Sequence, residues 1–332
     1  MRIAVDVLGG DYAPDEVLRG VATALRDDFT PEELLLVGPE EEIQSRLKAE
    51  GVAVPNILHT TEVIGSHEKP VEALRKKRNS SISLCVGAVK EGAAGGLISF
   101  GNTGAAVAAS SIGLGMLPGI RRPGIAVVFE WASGKVVLLD AGANPEPKSS
   151  HLFHYGVMGT AYCRDMFGME SPRIGLLNIG GEAGKGHSTV REAHDLLESS
   201  SLNFVGNLEG QDLFKGSTEV LVTDGFVGNM LLKVVEGFME YLLHGMADAV
   251  SDSDSSNSML ATFKQLVGAT DFAEVGGATL LGVNGVVLIG HGRSKASAVA
   301  PALRNVRKDL RTGVNAHITE ILNAQEGSAA EA

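Results

Sequence analysis

The sequence predicts an α/β protein built on a largely parallel sheet, and three observations carry that expectation. Short aliphatic runs alternate with longer stretches of helical periodicity along nearly the whole chain. Aromatic residues are only 5% of the 332, while glycine reaches 42, which suits glycine-rich loops between aliphatic strands better than an all-β sandwich. Polar-glycine breaks recur where the aliphatic runs end: Asp6–Asp11, Gly101–Gly104, Asp140–Asn144, Asn178–His187, Asp224–Asn229 and His291–Ser294. Ligands of open parallel sheets bind beyond the carboxyl ends of the strands. Six such breaks on one edge therefore predict a composite site.

Taken in order, Arg2–Val7 is β-rich and ends in Gly9-Gly10-Asp11. Pro14 opens a helix over Asp15–Asp27, because proline suits the first helical turn. Leu34–Gly38 is a second strand, Pro39 starts the charged helix Glu40–Glu50, and Val52–Thr60 holds a third strand. Pro70–Arg78 is a short helix ending in Arg75, Lys76, Lys77 and Arg78, and Ser80–Glu91 is another helix. Gly96–Phe100 is a strand that breaks before the small-residue helix Ala105–Gly113. Ile125–Phe129 and Val136–Asp140 read as paired strands turning at Ser133-Gly134, and Lys148–Phe167 as a long helix. Strand Arg173–Ile179 leads through a glycine loop to helix Thr189–Ser199. Strands Asn203–Gly206 and Glu219–Thr223 follow, then a helix from Asn229 to about Val250. A polar loop at Ser251–Ser258, a helix at Met259–Val267, glycine-rich Gly276–Gly285, strand Val286–Ile289 and a last helix Lys295–Asn323 complete the chain. No repeat or linker demands a cut, so one catalytic domain over 1–324 is expected, with a flexible tail at 325–332.

A net charge of −12 argues against nonspecific nucleic-acid binding. Two cysteines, Cys85 and Cys163, fit a reducing cytoplasm and no disulfide framework. The first residues, MRIAVDVLGGD, lack the long apolar core of a signal peptide, and no run approaches a transmembrane span. Any membrane contact is then peripheral.

Several motifs fail on spacing. In GLLNIGGEAGKGH, Gly175–His187, Ile179 stands where a phosphate-binding P-loop needs its first glycine, and Gly186 follows Lys185 where Ser or Thr belongs. Lys185 reads either as an anion ligand among glycines or as a solvated turn lysine. Gly113-Leu114-Gly115 is followed by Gly119, one residue late for a dinucleotide fingerprint, and Lys295 sits where the third glycine after Gly290-His291-Gly292 belongs. His151 and His154 share a helix face near Glu146 without a second metal motif. Asp252, Asp254 and Asn257 resemble a calcium loop that lacks its glycine, with Phe263 at the glutamate position. No metal site is assigned. Neither cysteine lies at a strand-end loop or beside an activating base, so both read as packed.

Arg75–Arg78 is a basic patch on an acidic protein, and reads as a solvated helix end or as a dock for an acidic protein. In the helix after Asn229, Lys233, Glu236, Glu240, His244 and Asp248 form one narrow polar stripe. The remaining surface is apolar, which predicts burial on several sides. With Met259, Leu260, Phe263, Leu266 and Val267 it makes an apolar helical pair at about 227–268, read as a dimer interface or as peripheral membrane contact.

Read together, these segments resemble the phosphate acyltransferase PlsX family of bacterial phospholipid synthesis. The resemblance rests on MRIAVDVLGGDYAP at Met1–Pro14, EKPVEALRKKRNSS at Glu68–Ser81, GNTGA at Gly101–Ala105 and DAGAN at Asp140–Asn144. It continues through GLLNIGGEAGKGH, TDGFVGN at Thr223–Asn229 and GGATLLGVNGVVLIGHG at Gly276–Gly292. Departures are Leu8, Phe100, Gly181 and Arg293, of which Phe100 and Gly181 bear on the shape of the site. The resemblance implies a three-layer α/β/α fold, similar to isopropylmalate dehydrogenases and phosphotransacetylases, in a homodimer. It implies transfer of a fatty acyl group from acyl carrier protein to inorganic phosphate, at a cytoplasmic, peripherally membrane-associated enzyme. A membrane acyltransferase then passes the acyl group to glycerol 3-phosphate.

The chemistry needs phosphate held, aligned with the thioester and the developing oxyanion stabilised, with no covalent enzyme intermediate and no cofactor. Lys185 is assigned to phosphate or oxyanion charge and Asn229 to an amide hydrogen bond. Backbone N–H groups at Gly9, Gly10, Asn102 and Thr103 complete an anion nest. Asn144, Asn178 and His291 are further substrate-binding candidates, with His291 able to protonate the leaving sulfur. Asp6, Asp140 and Asp224 brace loops, because carboxylates repel phosphate. The alternatives are a metal- and nicotinamide-dependent dehydrogenase of the same fold type, or a non-catalytic acyl- or phosphate-sensing membrane scaffold.

Overall fold

Four consecutive buried residues, Ile3–Asp6, make the first strand (β1), and a strand buried at every position must be covered on both faces. The computed structural model, which describes residues 1–250 and 276–330 and the side-chain surroundings of 1–242 and 276–325, has that layering. The chain forms two compact units, Met1–Pro123 with Asp271–Glu326, and Gly124–Thr270 with Gly327–Ala332.

In the first unit the strands are β1, β2 (Leu34–Gly38), β3 (Asn56–His59), β4 (Gly96–Ser99), β10 (Ala278–Leu281) and β11 (Val286–Ile289). Their order is β3-β2-β1-β4-β11-β10. All neighbours are parallel except β10, which runs against β11. Side chains alternate across a strand. Ile3, Val5 and Val7 join a core with Leu18 and Val21 of helix α1 (Asp15–Asp27) and Val299 and Leu303 of the late helix Ala296–Thr312. The opposite face receives α4 (Ser81–Lys90), which packs on β1, and α5 (Thr103–Gly113), which packs on α4. Helices α2 (Glu40–Ala49) and α3 (Pro70–Lys76) complete the early part of this unit.

The second unit has the order β5-β6-β9-β7-β8, from strands Gly124–Trp131, Gly134–Leu139, Val220–Val222, Ile174–Leu177 and Phe204–Leu208 respectively. The expected turn at Ser133-Gly134 makes β5 and β6 an antiparallel pair, and the other neighbours are parallel. Helix α6 (Ser149–Phe167) crosses this sheet with close approaches at glycine. A Cβ on Gly159 would stand 2.4 Å from Val220 Cγ1, and one on Gly156 2.9 Å from Leu197 Cδ2 of α7 (Ser188–Glu198). Helix α8 spans Gly225–Val250, and no helix among the described residues is long and apolar enough to cross a membrane.

Three expectations change. Helix α8 begins at Gly225 rather than Asn229, so most of the Asp224–Asn229 break is helical. The last helix is two, α9 (Ala296–Thr312) and α10 (Val314–Ala330), because Gly313 adopts the left-handed conformation (φ 77°) and ends the first. Glycine-rich Gly276–Gly285 contains β10, an aliphatic strand between Gly277 and Gly282. The expected loop Ser251–Ser258, the helix Met259–Val267, the calcium-like spacing at Asp252, Asp254 and Asn257, and the side chains of His244 and Asp248 lie outside the described residues.

Helices α1 and α9 meet at Gly20, where a Cβ would stand 2.4 Å from Val299 Cβ and 2.6 Å from Ala296 O. Alanine is the better helix former, yet this contact cannot admit it without separating the helices. Gly20→Ala should therefore lower unfolding stability by about 1–3 kcal/mol in urea titration; a stabilised variant would show that the helices yield freely.

Candidate functional site

Neighbouring parallel strands deliver their C-terminal ends to one edge, so the loops after them meet. In the first unit the neighbours are β1, β4 and β11, followed by Val7–Asp11, Phe100–Asn102 and Gly290–Arg293. The loops are tied to one another. Asp11 N donates to Gly292 O at 2.8 Å, and Gly290 N to Ser99 O at 2.9 Å. Asp6, 2% exposed, accepts a 2.7 Å hydrogen bond from Ser99 Oγ, which itself accepts one from Gly101 N at 3.2 Å. Burial pushes the Asp6 carboxyl up from its ordinary pKa. Gly9 must be glycine, since a Cβ there would lie 2.7 Å from Asp6 Oδ2 and 2.8 Å from Gly101 N.

Asn102 is the N-cap of α5: its Oδ1 accepts from Ala105 N at 3.0 Å. Its Nδ2 donates to the carbonyls of Gly65, Ser66 and Glu68 at 3.0, 3.3 and 3.1 Å. That side chain is committed to structure, whereas the backbone N–H groups of Gly10, Asn102 and Thr103 have no partner among the described residues. His291 is exposed, and its Nδ1 accepts from Arg293 N at 3.1 Å. Phe100, the bulky departure in this stretch, turns into the core, where Gly290 makes room for its ring.

In the second unit the adjacent strands are β6, β9 and β7. Asp140, fully buried, is enclosed by donors: Oδ1 accepts from the N–H groups of Ile125, Gly142 and Ala143 at 2.9, 3.0 and 2.9 Å, and Oδ2 from Asn144 N at 2.7 Å. Burial pushes its pKa up and these four bonds pull it down. Asp140 N donates to Thr223 O at 3.0 Å, and Gly225 N to Asn144 O at 2.8 Å, which ties the β6 loop to the start of α8. Asn144 Nδ2 reaches the Tyr155 hydroxyl at 2.9 Å. Asp224 Oδ1 accepts from Val227 N at 2.8 Å and so caps α8. Asn229 is exposed on α8 beside Gly142, and its side-chain amide has no partner among the described residues.

The loop after β7 is held from within. Asn178 Nδ2 donates to Lys185 O at 3.1 Å, Lys185 N to Glu182 O at 3.0 Å, and Asn207 Nδ2 to the same Glu182 carbonyl at 2.8 Å. The Lys185 stem passes Gly180, where a Cβ would come within 3.3 Å of Cγ. The residue is exposed, and its ammonium makes no ion pair among the described residues. Gly181 faces open space.

Asp6, Asp140, Asp224, Asn102, Asn144 and Asn178 are thus engaged in holding loops, while Lys185 and Asn229 present uncommitted side chains. Both cysteines are buried with thiols pushed up by desolvation, which keeps them out of the reactive thiolate form. His151 accepts from Lys148 N at 3.1 Å at the start of α6. Sequence reasoning missed Ser99, Tyr155 and Asn207, because each stands outside the polar-glycine breaks and meets its partner, Asp6, Asn144 or Glu182, only in the folded chain. The spacing of Gly225 and Gly228 was a readable signal: a Cβ on Gly228 would fall 1.9 Å from Asp140 O.

Residues 1–317 match a family model described as "Fatty acid synthesis protein". A protein named phosphate acyltransferase from Desulforamulus reducens is 42% identical, covering 98% of this chain and 99% of its own length. One of the same name from Pelotomaculum thermopropionicum is 44% identical, over 93% of this chain and 92% of its own. Among solved structures, a phosphotransacetylase from Streptococcus pyogenes superposes with a TM-score of 0.63 at 20% identity, covering 94% of each chain, a likeness of fold.

Replacing Asp140 tests the enclosure directly. Asp140→Asn turns one acceptor oxygen into a donor facing N–H groups in a dry site. It should cost about 2–4 kcal/mol of unfolding stability, since each buried group left unmatched costs about 1–3 kcal/mol. Unchanged denaturant midpoints would refute the bracing role.

Proposed function

Because the chain belongs to the fatty acid synthesis protein family, with phosphate acyltransferases as full-length relatives, we propose that this acyltransferase moves a fatty acyl group from acyl carrier protein to inorganic phosphate. The product is acyl phosphate, which a membrane glycerol-3-phosphate acyltransferase consumes in phosphatidic acid synthesis. The observation that carries the residue assignment is the division among the polar groups. Lys185 and Asn229 alone among the second unit's assigned polar side chains are left uncommitted, Lys185 in the loop after β7 and Asn229 in the first turns of α8, which follows the neighbouring strand β9.

In the reaction a phosphate oxygen attacks the thioester carbon, a tetrahedral oxyanion forms, and the carbon–sulfur bond breaks. The thiolate, with a conjugate-acid pKa of about 8.5, leaves without strong acid assistance and takes up a proton, for which His291 is the assigned donor. Lys185 offsets the charge on phosphate or oxyanion, and Asn229 donates to the same species. The unclaimed N–H groups of Gly10, Asn102 and Thr103, with Gly9 beside them, suit anionic substrate oxygens in their own unit. Asn144 and Asn178 keep a supporting role, through the loops they hold. Burial of both cysteines favours direct transfer over an acyl-enzyme thioester.

The donor's carrier is assigned to the basic end of α3. Arg75, Lys76 and Arg78 are exposed and make no ion pair among the described residues, whereas Lys77 pairs with Glu68 at 2.5 Å. The same Glu68 segment receives the Asn102 amide, and Pro70 packs where a Cβ on Gly104 would stand 2.7 Å away. The patch is thereby joined to the N-terminus of α5. Phe226, Met230, Val234 and Phe238 form an exposed apolar ridge on α8, which supports a homodimer interface and peripheral membrane contact for a cytoplasmic protein.

Purified protein with long-chain acyl carrier protein and phosphate should release free carrier thiol and a hydroxylamine-trappable acyl phosphate. Thiol release without phosphate, or none, would overturn the reading. Lys185→Ala should lower turnover by about 10²–10³, the usual loss for one oxyanion donor, with folding intact; wild-type rates would remove Lys185 from the chemistry. Charge reversal at Arg75, Lys76 and Arg78 together should raise KM for the carrier-bound donor and flatten its salt dependence, with kcat unchanged. An unaltered KM would place docking elsewhere.

A further inference from the structure

We propose that His194, Asp195 and Glu198, at the C-terminal end of α7, form a site for a divalent transition-metal ion such as zinc, built from residues to which the acyl-transfer reading assigns no part. The inward face of α7 carries Val190, Ala193, His194 and Leu197, so a histidine occupies a position that the packing would otherwise give to an aliphatic residue. His194 is 5% exposed. Its ring meets Phe204 of β8 edge-on, with centroids 5.1 Å apart and planes at 80°, which restrains its orientation.

The ring nitrogen Nδ1 is buried and has no hydrogen-bond partner. It points toward two carboxylates without bonding either: Asp195 Oδ1 and Glu198 Oε2 each lie 3.8 Å away. That separation is too long for a hydrogen bond. It does leave room for a shared ion, because zinc–nitrogen and zinc–oxygen bonds of roughly 2.0–2.2 Å let two ligand atoms on one ion stand up to about 4 Å apart. All three ligand atoms lie within 4.8 Å of one another. The i, i+4 spacing of His194 and Glu198 places both on one helix face, and Asp195 and Glu198 are exposed enough to adjust their rotamers.

Helix electrostatics point the same way. The last turn of α7 carries these two acids and no basic residue, at the end where the backbone dipole already presents negative charge. A bound cation turns that repulsion into attraction while giving the orphaned Nδ1 lone pair its partner. One imidazole with two carboxylates favours zinc and its transition-metal neighbours over magnesium, which prefers oxygen ligands throughout. Water completes the coordination at the solvent side.

Isothermal titration of the full chain with zinc and with magnesium tests the site, alongside His194→Gln and Glu198→Gln. Wild type should show a zinc isotherm that raises the melting temperature, with no magnesium response, and each variant should lose one zinc equivalent and the thermal shift. Glu198 is exposed, so Glu198→Gln remains folded even where the buried His194 substitution does not. Absence of zinc binding to wild type, or zinc stoichiometry in Glu198→Gln equal to wild type, would overturn the proposal.

Discussion

A carboxylate withdrawn from water must be met by hydrogen bonds, and the Asp140 carboxylate meets four backbone N–H groups. Its position at the end of β6 makes that requirement an organising one. Gly142, Ala143 and Asn144 must curl back around it, which brings the Asn144 carbonyl to Gly225 and the start of α8 against the β6 loop. Gly225 and Gly228 then need to be glycine, because the aspartate occupies the space a Cβ would take. Asn229, one turn into the helix, is carried to the strand edge by the same arrangement.

The first unit reaches a related result with a different network. Asp6 is buried at the end of β1, and its link through Ser99 to Gly101 holds the β1 and β4 loops together. Gly9 accepts the close approach, and Asn102 ties the start of α5 to the 65–68 loop. In each unit a buried acid at the end of a parallel strand fixes backbone rather than meeting substrate. The physical reason is common to both: an acid facing an anionic ligand would repel it, whereas an acid beneath a loop takes up donors, backbone N–H groups at Asp140 and the Ser99 hydroxyl at Asp6, and sets the loop's shape.

The strand–helix alternation was legible because aliphatic runs and helical periodicity are local properties. The starts of two helices followed from Pro14 and Pro39, whose effects act within a turn of the chain. The split at Gly313 was missed because helical periodicity continues on both sides of it, and only the left-handed backbone at that residue breaks the hydrogen-bond ladder. β10 was missed because glycines crowd both its ends, and its pairing partner β11 is what defines it. The polar-glycine breaks marked the strand ends, although Gly225–Asn229 and Thr103-Gly104 already belong to the helices that follow, and they did not say which side chain at each end is free.

What the sequence determined by itself was the alternation, the six strand-end loops and the family, since these rest on residue type and spacing. The tertiary structure decided the grouping of those loops, three in each unit, through the strand orders β1-β4-β11 and β6-β9-β7, which no local pattern encodes. It decided too that Asn102, Asn144 and Asn178 spend their amides on carbonyls and a hydroxyl, while Lys185 and Asn229 do not. A side chain's availability depends on donors and acceptors brought to it from distant sequence, and that is settled only when the sheet assembles.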